Sequence, residues 1–563
     1  MMRRAVAALL LAACLPAGAA TLEVAWLRDG QLHARALSQA GARPLPAADT
    51  GARLVPLGSL WKLFVYLYVT ESGREAPDYL CRGRVQEEVY CCNPGERIDR
   101  DSALVQSCGL FFAPERLGLD TAAWRRHWTE RLGQTPAGRF AWLATPAQLT
   151  PERLVRLDSL LQALAAIAPN QRAPAEAALL RVVLDGRGAG AVRWFGSSLR
   201  VKTFSWHHPG QRARRFGGAA GWLADGTPVW FAGDDASGAI FRDWAPQLAA
   251  TLPPATGTLD NDSGCVTVDF FSRYPLRSLR GPDGRPARPG ALTGRHVAQF
   301  SNGNALAFQA NGELSLVPDD SGRPTVQGRF GVNDYVARVL DREGGATPPE
   351  AAKALAVAAR SYLAQNARLV ASCQHIADSS ATQRVSPNPA TPASLAIARW
   401  TDRLVVEDVA VRYHRDTPGP DVLAWTGAQA QARAGMRFDA ILAHAYPRGA
   451  LGALGAGQRC ERLHRNEDWL ARMLPRWERV LRAQPGYERP AQPPLVCALT
   501  SGAPYSEQSR NRVFMRPLAS REDRITLAHE YLHIGLRHHP SGQDEDHVER
   551  LARRLVDLNP ENP

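Results

Sequence analysis

The sequence predicts a multidomain α+β protein, and three observations carry that expectation. At 563 residues the chain is too long for one ordinary hydrophobic core, which points to about three domains. Stretches with strand-like alternation, 21–37 and 190–235, are interspersed with stretches of helical period, 145–170 and 349–368. The cysteines beyond residue 20 fall into separate groups: Cys81, Cys91, Cys92 and Cys108, then Cys265 and Cys373, then Cys460 and Cys497. This even number, clustered along the chain, suggests disulfides within separate domains, with adjacent Cys91 and Cys92 taking different partners. No paired CxxC spacing supports a zinc-thiolate site instead. The expected units are 1–20, 21–255, 256–455 and 456–563.

The first unit reads as an export signal. Arg3 and Arg4 form a basic start, and Ala5 to Leu15 is apolar but too short to span a bilayer. Pro16-Ala17-Gly18-Ala19-Ala20 then offers small residues for cleavage, expected after Ala20. Leu11-Ala12-Ala13-Cys14 also fits a lipoprotein box, which makes Cys14 a candidate lipid anchor. No later stretch has the length and apolarity of a membrane span. The mature chain is therefore expected in the periplasm or outside the cell. Its 45% hydrophobic and 22% charged content is that of a globular protein. The formal charge of +12 falls to about +10 without Arg3 and Arg4. Export argues against a nucleic-acid partner, and an anionic envelope surface or cell-wall polymer fits the charge better.

In the second unit, residues 21–37 read as a hairpin, LEVAWL and QLHARAL around a turn at Arg28-Asp29-Gly30. Residues 145–170 carry a long helical period, and 190–235 read as strands with turns at Gly217-Gly218 and Asp225-Gly226. Ser59 and Lys62, three apart, share a helix face, where a buried lysine that loses its proton can activate the hydroxyl. In context, SLWKLFVYLYVTESG resembles the nucleophile helix of the penicillin-binding protein and serine β-lactamase superfamily. ALVQSCGLFF (103–112) resembles that superfamily's second motif, SxN, with Ser107 in place and Gly109 where Asn is usual. LRVKTFSW (199–206) resembles its third motif, KTG, with Lys202 and Thr203 kept and Phe204 replacing Gly. The resemblance covers about 25–250 and implies a transpeptidase-like α/β sandwich. It further implies Ser59 as nucleophile, Lys62 as its base, Ser107 as proton relay, and Lys202 and Thr203 as holders of a substrate carboxylate. Phe204 is expected to crowd the groove that glycine leaves open.

In the third unit, residues 349–368 read as one helix, with Glu343 just ahead of it beside Gly344 and Gly345. The stretch GRFGVNDYVARVLDREGGATPPEAAKALAVAARSYLAQNA (328–367) resembles the SpoIID domain of lytic transglycosylases and amidase enhancers. ADSSATQRV (377–385) is similar to that family's DTTHCQVY, and LAWTGAQAQARAGMRFDAILAHAYP (423–447) to its closing segment. The resemblance runs from about 260 to 453. It implies a SpoIID-like α+β domain with Glu343 as the catalytic acid. One carboxyl of this kind donates a proton to a glycosidic oxygen, then takes one from a sugar hydroxyl, leaving an anhydro end. The two glycines are expected to let a glycan approach. The family's GHG sequence is replaced by Pro418-Gly419-Pro420-Asp421, and only Cys373 and His375 remain of its Cys/His cluster, so no metal is expected in this domain.

The last unit carries His529-Glu530-Tyr531-Leu532-His533. On a helix, His529 and His533 lie one turn apart and face the same way, so both imidazoles can reach one Zn²⁺. Glu530 beside them can take a proton from the attacking water. The third ligand is open among Glu545, Glu549, Asp544 and His539. Ser541 and Asp544 have the spacing of a capping box, and on the helix that would follow, Glu545 sits at the edge of the apolar face Val548, Leu551, Ala552 and Leu555. Glu545-Asp546-His547-Val548-Glu549 resembles the ExxAD segment of gluzincin peptidases, which implies Glu545 as ligand, Glu549 as a partner orienting a histidine, and a small helical zincin-like domain. The order of the three domains resembles secreted proteins encoded beside bacterial alpha-2-macroglobulins, which implies such a protein as a partner. Two of the resemblances imply peptidoglycan as substrate. The reading from sequence is thus an exported peptidoglycan-remodelling hydrolase. Its alternatives are a zinc protease whose upstream domains only bind the wall, and a non-catalytic envelope scaffold.

Overall fold

A computed structural model describes residues 21–74, 76–82, 94–95, 97–184, 186, 188–208, 211–254, 264–319, 322–370, 373–380, 382–409, 411–454, 462–490, 492–499, 504–507, 511–536 and 539–558. The expected export signal with Cys14, the pair Cys91 and Cys92, and Cys460 lie outside the described residues. The fold is multidomain α+β, built around three main sheets.

The first sheet has six antiparallel strands in the spatial order Gly41–Pro44, Gln31–Ser38, Leu22–Arg28, Pro228–Gly233, Gln211–Leu223 and Leu199–His208. The hairpin expected at 21–37 is present, and it closes the sheet against strands two hundred residues away. Alternation sorts the side chains between two layers. Val24, Val201 and Phe231 face a core shared with the helix Ser237–Thr251, while Ala25, Phe204 and Trp230 face the helices between residues 57 and 184. Two readings are corrected. Residues 145–170 are not one helix but a short turn, the strand Leu154–Arg156 and the helix Leu157–Ala165. Gly217-Gly218 is no turn. Both glycines lie inside a strand because neighbouring backbone passes too close for a side chain: a Cβ on Gly218 would sit 1.9 Å from the Phe231 carbonyl oxygen.

The second sheet has seven strands in the order Leu276–Arg280, Gly290–Phe300, Ala305–Pro318, Pro324–Phe330, Val266–Phe270, Cys373–Ala377 and Arg368–Val370. One face packs on the helices Val332–Glu343 and Pro349–Asn366, whose alanine-rich sequence lets the helix run through the core at close range. Cys265 and Cys373 form a disulfide beside the parallel pair Val266–Phe270 and Cys373–Ala377, next to the edge strand Arg368–Val370. Cys81, Cys108 and Cys497 are disulfide-bonded as well.

The C-terminal unit is not purely helical, as the zincin resemblance implied. Short apolar runs form a three-stranded sheet, Leu495–Ala498, Arg512–Met515 and Tyr505–Glu507 in that order, packed with the helices His464–Arg482, Arg521–Gly535 and Glu545–Asp557. The expected capping box at Ser541 is also corrected. Asp544 alone caps the last helix by accepting from the His547 N–H, and Ser541 is bonded to His539 instead.

Candidate functional sites

The helix Val332–Glu343 ends by delivering Glu343 to the wall of a cleft of about 720 Å³. Gly344 stops the helix, and it is small for packing rather than for glycan approach: a Cβ there would lie 2.7 Å from Leu355 and 2.9 Å from Trp425. Gly345 takes a left-handed turn at φ +92°. One Glu343 oxygen accepts from the Arg384 backbone N–H at 2.9 Å. Burial pushes the Glu343 carboxyl above the usual carboxylate range, opposed by the Arg384 hydrogen bond and aided by the nearby charge of Asp378. Tyr413, Arg384, Arg412 and Arg415 also line the cleft. Buried Gln383 accepts from Tyr335 Oη at 2.5 Å and donates to Tyr413 Oη at 2.8 Å. Burial, joined by the charge of Glu343, pushes the Tyr413 hydroxyl far above its ordinary value, so it stays protonated at neutral pH. Gln383 and Arg384 stood within the segment read from sequence but without a role. Tyr413 fell between recognised segments, and only its aromatic-cation surroundings, Arg412-Tyr413-His414, could have drawn notice.

In the first unit, Ser59 lies in the turn Gly58–Leu60 that runs into the helix Trp61–Glu71. Lys62 is buried, and its Nζ donates to the Ser107 carbonyl at 2.5 Å and to its Oγ at 3.4 Å. Lys202 is buried and donates to the Thr203 carbonyl at 2.8 Å. Phe204 is buried against the turn that carries Ser59: a Cβ on Gly58 would lie 3.0 Å from the Phe204 Cβ. The structure thus pairs Lys62 with Ser107 and Lys202 with Thr203, and an aromatic ring fills the space next to the serine.

The third constellation sits on the helix Arg521–Gly535, which opens with a capping box of Ser520 and Asp523. His529 Nε2 and His533 Nε2 are 3.0 Å apart, and Glu545 Oε2 lies 3.2 Å from the first and 3.6 Å from the second. Each outer nitrogen is engaged: His529 Nδ1 is 2.9 Å from Glu549 Oε2, and His533 Nδ1 is 2.8 Å from the Gly542 carbonyl. Burial would lower the His533 imidazole, but its hydrogen bond to Glu545 and the charge of Glu530 bring it above its ordinary value. Glu530 is buried, and that burial raises its carboxyl against the pull of both imidazoles and a hydrogen bond from Ser506. Tyr531 is turned away, its hydroxyl 2.6 Å from that of Tyr487. Asp544 and His539, the other ligand candidates, are occupied as helix cap and as partner of Ser541. The Gly542 carbonyl and Ser506 were missed, since a backbone acceptor or a lone serine has no sequence signature.

This donor set fits a zinc ion. Two imidazole nitrogens and one carboxylate oxygen converge within 4.8 Å of one another, and Nδ1–H donation to Glu549 and to the Gly542 carbonyl would leave each Nε2 to ligate.

A family described as "Predicted secreted protein (DUF2300)" matches residues 83–213 and 421–541, and one described as "Stage II sporulation protein" (SpoIID) matches 321–396. The chain is 43% identical over 503 residues to the "Uncharacterized protein YfaQ" of Escherichia coli (strain K12), covering 89% of each. Among solved structures it is similar to an ancestral class A β-lactamase, with 13% identity, 42% of this chain and 95% of that one covered, and a TM-score of 0.24. A SurE structure with D-Leu covers 55% of this chain and 95% of its own at 12% identity, with a TM-score of 0.19. The chain is an exported protein with a SpoIID domain. Among the described residues no helix is long and apolar enough to cross a membrane.

Proposed function

The chain belongs to the family of Escherichia coli YfaQ, and on that premise we propose that it is a peptidoglycan-remodelling enzyme that cleaves glycan strands at Glu343. The observation that carries this reading is the half-buried carboxyl on the cleft wall, anchored through one oxygen by the Arg384 N–H. Burial keeps the carboxyl protonated to higher pH, so it can donate to the glycosidic oxygen as the bond to the sugar's anomeric carbon breaks. The resulting carboxylate then accepts the proton of the same sugar's hydroxyl, whose oxygen closes on the anomeric carbon to give the anhydro end. No second carboxylate is required. Tyr413 lines the cleft with its oxygen accepting from Gln383, which leaves its own O–H to donate to the glycan. The test is mass spectrometry of purified sacculi treated with wild type, Glu343→Gln and Glu530→Gln. Anhydro ends are expected from wild type and Glu530→Gln and not from Glu343→Gln. Anhydro ends undiminished in Glu343→Gln would sink the reading.

The convergent His529, His533 and Glu545 favour a second activity, zinc-dependent peptide cleavage. When bound, the ion would supply Lewis acidity to a substrate carbonyl at neutral pH. Glu549 and the Gly542 carbonyl would orient the two imidazoles, and Glu530, buried beside them, would take the proton of the attacking water. Metal analysis should find one zinc per wild-type chain, lost in His533→Ala. A wild type purified without chelators that neither carries nor takes up zinc would overturn this assignment. Unchanged sacculi together with peptide cleavage lost in Glu530→Gln would leave a protease with wall-binding upstream domains.

A further inference from the structure

The edge of the seven-stranded sheet carries a charge pattern that neither proposed reaction uses. Residues 272–300 hold six arginines, Arg273, Arg277, Arg280, Arg285, Arg288 and Arg295, against one acid, Asp283. All six are exposed, and Asp283 is turned to Arg285, accepting from its backbone N–H at 3.0 Å with the guanidinium 3.9 Å away. The strand Leu276–Arg280 is the outermost of its sheet and pairs with Gly290–Phe300, Arg280 opposite Val297. Leu279 and Ala298 are buried beneath, so Arg280 and Arg295 share the opposite face of the ribbon. At the base of the ribbon Arg273 donates to Ser380 Oγ at 2.5 Å, and Ser380 lines the Glu343 cleft. Arginines thus line the cleft at Arg384, Arg412 and Arg415, stand at its edge at Arg273, and continue in sequence along the ribbon.

Protection of an edge strand from pairing with other chains asks for charge on that strand alone. Here the charge continues into the connecting loop at Arg288 and the next strand at Arg295, where like charges repel unless an anion neutralises them. Guanidinium groups bind carboxylates through paired, parallel hydrogen bonds. We infer that this ribbon is a docking surface for a wall polymer bearing repeated carboxylates, the same polymer whose glycan enters the Glu343 cleft. The inference rests on the glycan reading for the identity of the polymer, and continuity with the cleft through Arg273 and Ser380 is what selects it.

The experiment uses the full chain carrying Glu343→Gln, so that binding is read without cleavage. Co-sedimentation with sacculi near physiological salt compares this parent with two further variants. One changes Arg277, Arg280, Arg288 and Arg295 to alanine, and the other changes the same four to lysine. The alanine variant should bind roughly tenfold more weakly, and the lysine variant should fall between it and the parent, since lysine keeps the charge but not the paired hydrogen bonds. The parent should also bind poorly to sacculi whose carboxylates have been amidated, and higher salt should weaken its binding. Equal binding by the alanine variant and the parent overturns the proposal, as does equal loss in the alanine and lysine variants. Phosphatidylglycerol vesicles form the remaining arm: binding that needs the arginines on vesicles but not on sacculi assigns the ribbon to lipid phosphate and also overturns it. Failure of the glycan reading would appear separately, as anhydro ends unchanged by Glu343→Gln.

Discussion

Glu343 is held in surroundings that favour its neutral form, which has a consequence for stability as well as chemistry. Its folded-state value lies above its ordinary one because burial penalises the charge. The stability it contributes is fully present below the ordinary carboxylate value and is lost as pH rises through the raised one. Glu343→Gln should therefore melt at or above wild type at neutral pH, with the difference closing below about pH 4. Thermal unfolding of both proteins across pH checks this, and a clearly lower melting temperature for the Gln variant at neutral pH would contradict it. Gln383 behaves differently, because it is buried among partners that need it: Tyr335, Tyr413 and the Ala359 carbonyl. Gln383→Leu should cost about 1–3 kcal/mol in denaturant unfolding, since it strands buried polar groups. His529 and His533 stand out in the sequence by their spacing, and Glu343 by the SpoIID resemblance. The Arg384 N–H and the Gly542 carbonyl do not, because every residue type but proline has the first group and every residue has the second.

At the scale of elements, the same spacing, Ser-x-x-Asp, precedes both helices of the proposed zinc site, and only one instance closes as a capping box. Ser520 accepts from the Asp523 N–H while Asp523 accepts in return, whereas Ser541 is drawn to His539 before a helix can start. Sequence spacing gives both candidates, and the competition between local hydrogen bonds selects one. Ser520→Ala should lower stability by about 1 kcal/mol, measured by urea unfolding of the zinc-free and zinc-loaded chains. The matching change at Ser541 should leave that helix start intact. Glycines show the same limit of legibility. Gly217 and Gly218 read as a turn, yet they lie in a strand because of backbone that arrives from residues 231–237, far along the chain. Gly344 is similarly constrained by Leu355 and Trp425. Gly344→Ala should cost about 1–3 kcal/mol by overpacking and displace Glu343, lowering glycan cleavage more than Gly345→Asn does.

Across the whole molecule, the three sheets are less independent than their sequence resemblances suggest. One apolar cluster runs from Val24 and Leu248 in the first sheet's layer to Val268, Val336 and Leu355 in the second. The joint between them is close: Ser197 N–H donates to the Trp400 carbonyl at 2.9 Å, and a Cβ on Gly196 would lie 2.4 Å from that same oxygen. Resemblances that identify segments one at a time cannot reveal such contacts, because they depend on surfaces that meet only after each segment folds. The C-terminal unit is joined in another way, by buried Arg512 reaching Glu407 at 3.0 Å and the adjacent Asp408 in the SpoIID-like region. An apolar seam and a buried ionic one respond differently to disruption. Residues 21–454 should therefore unfold in one calorimetric transition, since the two sheets share this apolar cluster. Arg512→Ala should lower stability by removing a buried cation from beside Glu407 and Asp408, and it should separate a lower-melting transition of the C-terminal unit from the rest. Its zinc content should be unchanged, because His529, His533 and Glu545 lie on other elements. A single unshifted transition in Arg512→Ala would mean that contacts other than these hold the C-terminal unit against the SpoIID-like one.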